Sequence, residues 1–535
     1  MLSADILAGN LAALTRAQGA CPALGPLRDS MRVTLSGPHV NIEVHSGDDG
    51  WQPIDAPGET LAGAAWLDEP AAGASQAIVV GAGLGYALER AERLGIRKVV
   101  AIEPDPGVAT LLLSRRDWSG WFESGGLRLL TGPDYRGLAD TARFLDGLSD
   151  IPILANRARA HAEPEPSARA AAIAERLAQD AKANGQARQR FAGPYLLQTL
   201  TNLPAIAHEG DVRALAGAFG RAPGIVVGAG PSLDDNIGDL RQLDDRAVII
   251  ATDTSLGPLL AGGVRPHLVV GIDPSALNAL HLTTPEASGD VMLAAEGSLH
   301  PSVFPRFAGR IVSFTVSDHE PWPWLDAAGL RRGRLRAWGS VLTSAFDLAR
   351  HLGCDPIVFA GADLAYTGMR PYCRHTIYDA QWQEWIDKGC SRELLMEEYF
   401  SRQPEAYRDD LHGERVRTSP NLVSFRDWLV EQIARLPPAR VINATGNGIL
   451  HGGGIRLATL HEALGEAPRL EWVREILASK RAASCPSPGD RQRLDEWLAR
   501  ASREPDRVPF ERWMAFSGGT LTQDEIRQAL PSGIE

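Results

Sequence analysis

Five residues, Gly228, Gly230, Pro231, Ser232 and Leu233, follow the apolar run Ile225 to Val227 and precede a helical pattern from Asp234. Glycines at such a turn let the backbone approach a phosphate, the first amides of the next helix point at the anion, and Ser232 adds a hydroxyl donor. The turn lacks the lysine and the four-residue spacer of GxxxxGK, so it is not a P-loop, and ordinary ATP hydrolysis is not indicated. The next two apolar runs end in Asp253, within ATDTSLGPLL, and in Asp273, within VVGIDPSALN. Ligands of open α/β sheets collect at the carboxyl ends of strands, so Asp253, Thr254, Ser255 and Asp273 are expected to line one crevice with the glycine turn. A strand-end aspartate alone is as readily a helix cap. Two at successive strand ends beside a GxGPS turn are what make a site.

A second glycine turn lies in AIVVGAGLGYALERAERLGIRKVVAIEPDP, which reads as strand, turn, helix and strand from Ala77 to Pro106. Gly81, Gly83 and Gly85 are spaced GxGxG, and Tyr86 stands where the dinucleotide fingerprint has its third glycine. Glu103 falls about 20 residues later, where an acid binds a ribose hydroxyl in NAD or S-adenosylmethionine sites. The arrangement resembles the first motif of Rossmann-like methyltransferases. With no later cofactor motif nearby, a plain tight turn and strand end is the favoured reading, and a ligand-binding one stays open.

The elements that must position these residues are those of an α/β chain. Short apolar runs at GIVVGAG, RAVIIATD, PHLVVGID, DVMLAAEG, RIVSFTV, PIVFAGAD and RVINAT are strands of a doubly wound, mostly parallel sheet. Helical stretches such as SVLTSAFDLARHLG and SFRDWLVEQIARL separate several of them. We expect a Rossmann-like domain over 1–165, a connecting helix over 166–194, the catalytic domain over 195–464 and a helical domain over 465–535. The polar, aromatic stretch from Ile377 to Pro420 interrupts the sheet pattern and is either a helical lid or decoration.

Composition narrows the function classes. A length of 535 residues exceeds one ordinary core, and 44% hydrophobic with 22% charged residues is globular. A formal net charge of −12 disfavours sequence-independent nucleic-acid binding. Cys21, Cys354, Cys373, Cys390 and Cys485 form no CxxC pair, so neither a disulfide framework nor a zinc ribbon is expected. No cationic leader and no run of about 18 apolar residues is present, so we expect a cytoplasmic protein without membrane insertion.

GIVVGAGPSLDDNIGDL, IIATDTSLGPLLAGGVRPHLVVGID, GSVLTSAFDLARHLGCDPIVFAGADLAYTG and VINATGNGILHGGG, in this order, resemble the motility-associated factor (Maf) family of bacterial flagellin glycosyltransferases. That family shares its core with hydroxymethylpterin pyrophosphokinases. The resemblance covers about Tyr195 to Leu464 and extends to the Rossmann-like region. It implies a sialyltransferase-like central domain that moves a nonulosonic acid, pseudaminic or legionaminic in type, from a CMP-activated donor to Ser or Thr of flagellin, without an essential metal or other cofactor. On it, Gly228 to Leu233 with Asn236, Asp253 and Asp273 bind the CMP phosphate and ribose. Ser340 sits near the sugar carboxylate or phosphate, and Asp363 and Tyr366 face the same crevice. His375 is the candidate general base or the neutraliser of the leaving phosphate. The sequence departs from the family at Met369 to Cys373, where Arg370 and Arg374 are available to pair with an anionic donor, and at Gly446 to Gly448, where the family often has an acidic residue. Alternatives are a pterin pyrophosphokinase, a flagellin-binding protein with a vestigial nucleotide site, and an N-terminal methyltransferase fused to a carbohydrate enzyme.

Overall fold

The computed structural model describes residues 3–18, 22–36, 39–45, 49–54, 71–133, 135, 137–284, 289–437, 440–504 and 507–531. Cys21 lies outside them. The chain divides into two compact units, Met1–Arg190 and Phe191–Glu535. The long helix Pro164–Thr201 begins in the first and ends in the second. It starts earlier and ends later than the span expected from the sequence, and in its first turn the buried Ser167 hydroxyl donates to the Arg159 carbonyl. Among the described residues, no helix is long and apolar enough to cross a membrane.

In the first unit, Leu127–Thr131, Lys98–Glu103, Gln76–Val80 and Ile153–Ala155 form a four-stranded parallel sheet in that order. Every residue of Gln76–Val80 is buried, as expected of a strand covered on both faces. A separate antiparallel sheet of Met31–Ser36, His39–His45 and Trp51–Pro53 was not foreseen.

The second unit is built on a ten-stranded sheet whose strands, among the described residues, pair in parallel. From Gly224–Val227 the chain steps outward through Val248–Thr252, Leu268–Gly271, Met292–Glu296, Ile311–Thr315 and Gly333–Arg334. It then returns to place Ile357–Ala360 on the other side of Gly224–Val227, followed by Val441–Asn443 and Arg456–Leu457. The helix Val341–Leu352 makes that return. The Ser340 side chain accepts from the Leu342 amide at its start, and Gly353, with φ of 82°, ends it in the left-handed conformation glycine tolerates.

The stretch from Ile377 folds as two helices, Ile377–Asp387 and Arg392–Ser401, and a hairpin pairing Ala406–Asp409 with Arg415–Thr418. The first of these helices buries no residue and the second buries only Phe400. The C-terminal helices pack into the core of the central sheet: Leu494, Leu498, Trp513 and Ile526 share one apolar cluster with Ile225 and Val269. Trp324 meets Trp497 and Trp513 edge-on at 4.3 and 5.0 Å, and the Trp513 indole donates to Glu320 at 2.7 Å. Trp513→Ala removes a fully buried ring and the indole's bond to Glu320, which keeps its ion pair with Arg512. We expect it to lower the stability of the second unit by about 3–5 kcal/mol, read from its urea midpoint.

Candidate functional site

The strand order reverses between Gly224–Val227 and Ile357–Ala360, the position where open α/β sheets form their ligand crevice. The loops leaving these two strands cross in contact. The Gly228 amide donates to the Ala360 carbonyl and the Gly230 amide to that of Gly361. A side chain at Gly228 would meet the Gly361 oxygen at 2.6 Å, and one at Gly230 the Asp363 carboxylate at 2.1 Å. These glycines therefore serve the close approach of one loop to another.

Asp363 lies at the crossing, 1% exposed. Its carboxylate accepts the Ser232 hydroxyl at 2.7 Å and the Ser232 amide at 3.3 Å. The helix start that the sequence assigns to a phosphate thus faces the protein's own carboxylate. Burial pushes the Asp363 carboxyl above its usual range, opposed by the bonds from Thr367 and Ser232. The third loop joins here as well: the Ile449 amide donates to the Asp363 carbonyl, and a side chain at Gly448 would strike that carbonyl at 2.1 Å. Gly448, within the stretch where the sequence departs from the family, is therefore required by packing, whereas a side chain at Gly446 would meet nothing within 4 Å.

Asn236 staples the three loops, accepting from the Gly361 amide and donating to the Ala444 and Thr445 carbonyls. Ser255 is fully buried, its hydroxyl against the Val227 and Thr252 carbonyls, and Leu233 is a core residue. Asn236, Ser232, Ser255 and Leu233 shape the crevice, with their polar atoms engaged inside the protein. Pro231 is also buried, its carbonyl accepting from Arg370. Ser340 begins the helix whose Leu342 packs against Gly228, which brings it beside the glycine turn.

Asp253 and Asp273 do stand at neighbouring strand ends. Asp253 is 2% exposed and accepts from the Thr254 amide and hydroxyl and from the Asn278 side chain. Burial, reinforced by the nearby Asp273 charge against those hydrogen bonds, pushes its carboxyl up to about 6. Asp273 accepts from the Ser275 amide at 2.7 Å. The strand-end rule that selects these two also selects Glu296, which the sequence reading passed over. Glu296 is fully buried, receives the Tyr195 hydroxyl and both the amide and hydroxyl of Ser298, and has its carboxyl raised by burial.

The segment Arg370–His375 lies across the glycine turn. The Cys373 amide donates to the Ala229 carbonyl, Arg370 to Asp234 at 2.6 Å and to the Pro231 carbonyl, and the Arg374 amide to Asp234. Both arginines thus neutralise Asp234 in the protein itself. His375 is exposed, with its amide on Asp379. Three non-glycine residues, Leu364, Met369 and His375, hold positive φ in this segment and the chain leading into it from Asp363, the kind of backbone strain that clusters at functional sites.

The first unit treats its glycine turn differently. Glu103 is fully buried; its carboxylate accepts from the Gly83 and Asp105 amides and from Arg159 at 3.0 Å. Arg159, 1% exposed, also lies 2.9 Å from Glu163. A side chain at Gly81 would sit 3.1 Å from Arg159, and one at Gly85 2.8 Å from Trp118. Every feature of the fingerprint is met by the chain's own side chains, which supports the tight-turn reading.

Two outcomes follow from these burials. Arg159→Leu leaves Glu103 and Glu163 without their buried cation, and should cost the first unit about 3–5 kcal/mol in urea unfolding. The folded Asp253 carboxyl, near 6, lies above its ordinary value of 3.8, so its ionisation opposes folding. The associated stability is complete below pH 3.8 and is lost as pH rises through 6, by up to roughly 3 kcal/mol. Asp253→Asn should remove this fall between pH 4 and 7, measured as the pH dependence of the urea midpoint.

Comparison with known proteins places this geometry. Residues 197–369 match the family described as MptE-like, 6-hydroxymethylpterin diphosphokinase. An uncharacterized protein of Treponema pallidum (strain Nichols) is 32% identical over 128 residues, which is 22% of this chain, and the chain spans about a third (32%) of that relative's length. The structure of the MAf glycosyltransferase from Magnetospirillum magneticum AMB-1 aligns with 99% of this chain and 89% of its own, at 16% identity and a TM-score of 0.50. At that identity the likeness is one of fold. The resemblance seen in the sequence therefore holds: the chain carries the fold of a Maf glycosyltransferase over almost its whole length, around a core segment matching the MptE-like proteins.

Proposed function

We propose that this protein is a glycosyltransferase that moves a nonulosonic acid, pseudaminic or legionaminic in type, from a CMP-activated donor to Ser or Thr of flagellin in the cytoplasm, in support of flagellum assembly and motility. The observation that carries this reading is the crevice at the strand-order reversal, in a chain that follows a glycosyltransferase fold almost from end to end. In the proposed reaction the acceptor oxygen bonds to the anomeric carbon, the bond from that carbon to the CMP phosphate breaks, and the hydroxyl proton passes to a base. CMP leaves with the bonding electrons. His375 is exposed on the segment that crosses the glycine turn and so is open to a protein acceptor coming from solvent, and we assign it the proton. Arg370 and Arg374 then exchange Asp234 for the departing phosphate, with the Ser340 helix start beside it. Asp363 acts by holding Ser232 and the crossing loops. No metal enters this scheme, and its need for one is a matter for the assay.

The MptE-like match over 197–369 favours a second reading, diphosphate transfer to a pterin alcohol. One pair of assays separates them. Incubation with a CMP-nonulosonate and flagellin, with and without divalent cations, should give acceptor heavier by one glycosyl unit at Ser or Thr in mass spectrometry. Incubation with ATP and 6-hydroxymethylpterin should give no diphosphate ester. His375→Ala should lower the transfer rate about 100-fold, and Asp273→Ala at least about tenfold. Absence of glycosylated flagellin together with formation of the pterin diphosphate would overturn the assignment.

A further inference from the structure

The carboxylates of the crevice do not suit the phosphate that the sequence places beside them. Asp253 and Asp273 repel an anion, whereas Arg370 and Arg374 lie on the side of the glycine turn, with Asp234. Around the two aspartates sit Asn278, bonded to Asp253, and His281, which is 2% exposed and whose Nε2 reaches no hydrogen-bond partner among the described residues. Burial drives the His281 imidazole down to about 4, against the pull of Asp273, so at neutral pH it is uncharged and able to donate or accept. Two carboxylates, an amide and a neutral imidazole form a set that satisfies several hydroxyl groups and rejects a phosphate.

The same cluster is roofed by an aromatic ring from the inserted helices. Tyr378 meets His281 edge-on at 5.4 Å and stacks on Tyr372 at 4.9 Å, with the two tyrosine planes 13° apart. Tyr372 is anchored against the central core. Tyr378 is in the first turn of Ile377–Asp387, a helix with no buried residue, so its displacement exposes little apolar surface. A flat ring is thus held against His281, whose Nε2 has no partner among the described residues, by an element that buries no residue of its own.

We propose that Asp253, Asp273, Asn278 and His281 hold the polyhydroxylated ring of the donor, and that Tyr378 occupies the ring's place until the donor enters. This assignment rests on the glycosyltransferase reading. It divides the crevice into an arginine side for the nucleotide phosphate and a carboxylate side for the sugar, with Tyr372 as the remaining wall.

The test is calorimetric titration of the full chain with CMP, CMP-legionaminate and CMP-pseudaminate. Asp273→Asn and His281→Asn should weaken the better CMP-sugar about tenfold while leaving CMP within about twofold. Tyr378→Ala, on a helix that buries nothing, should tighten that donor about threefold by removing the competing ring. A wall residue would have the opposite sign. The proposal is overturned if CMP and CMP-sugar weaken together, if the sugar adds no affinity over CMP, or if Tyr378→Ala weakens the donor. If the unaltered protein binds neither CMP nor CMP-sugar, the glycosyltransferase reading falls, and this proposal with it.

Discussion

The buried contact between Ser232 and Asp363 is the constraint on which the rest of the crevice depends. At a strand-order reversal two loops leave adjacent parallel strands in opposite directions, and here they do so almost without side chains between them. Gly228, Gly230 and Gly361 bring the backbones together, and Asp363 then satisfies a helix-start amide that the close approach shuts off from water. Gly448 closes the third side against Asp363, and Asn236 ties all three loops with both ends of its amide. A buried carboxylate with several donors is costly to disturb because each donor left behind loses a partner as well.

Charge is partitioned around this frame. Strand ends on the outward path carry Asp253, Asp273 and Glu296, two of them buried with their carboxyls raised. The segment over the glycine turn carries Arg370 and Arg374, neutralised by Asp234. A ligand with one anionic end and one hydroxyl-rich end would find a matching surface for each, while a purely anionic ligand would find only one. The inserted helices add aromatic rings to the same region without adding a core of their own, so this cover can move while the frame stays fixed.

The two glycine turns show how one sequence pattern meets two structural ends. Both follow a buried parallel strand and precede a helix. In the first unit the buried Arg159 fills the space beside Gly81 and pairs with Glu103, the acid that would otherwise greet a ribose. In the second the buried Asp363 meets the turn, and the neighbouring strand ends carry Asp253, which accepts from Asn278, and Asp273. Glycine spacing reports where a backbone must bend or approach; the side chains that arrive from distant segments decide what it approaches.

Much of this protein was legible in its sequence. The apolar runs ending at Val227, Thr252, Gly271, Glu296, Thr315, Ala360 and Asn443 are strands of one sheet, because strands buried on both faces require continuous apolar residues. The two-residue strands Gly210–Asp211, Gly333–Arg334 and Arg456–Leu457 are too short to show a period. Asp253 and Asp273 could be chosen from their place at strand ends, and Glu296 was open to the same logic. Only the tertiary structure decided that Ser232 and Asn236 face inward, that Asp363 meets a turn 131 residues earlier, and that His281 lies against Tyr378 with its Nε2 unpartnered among the described residues. The physical reason is that local sequence determines the elements and their ends, through burial and backbone preference, whereas partners across the sheet follow from strand order, which no local pattern encodes.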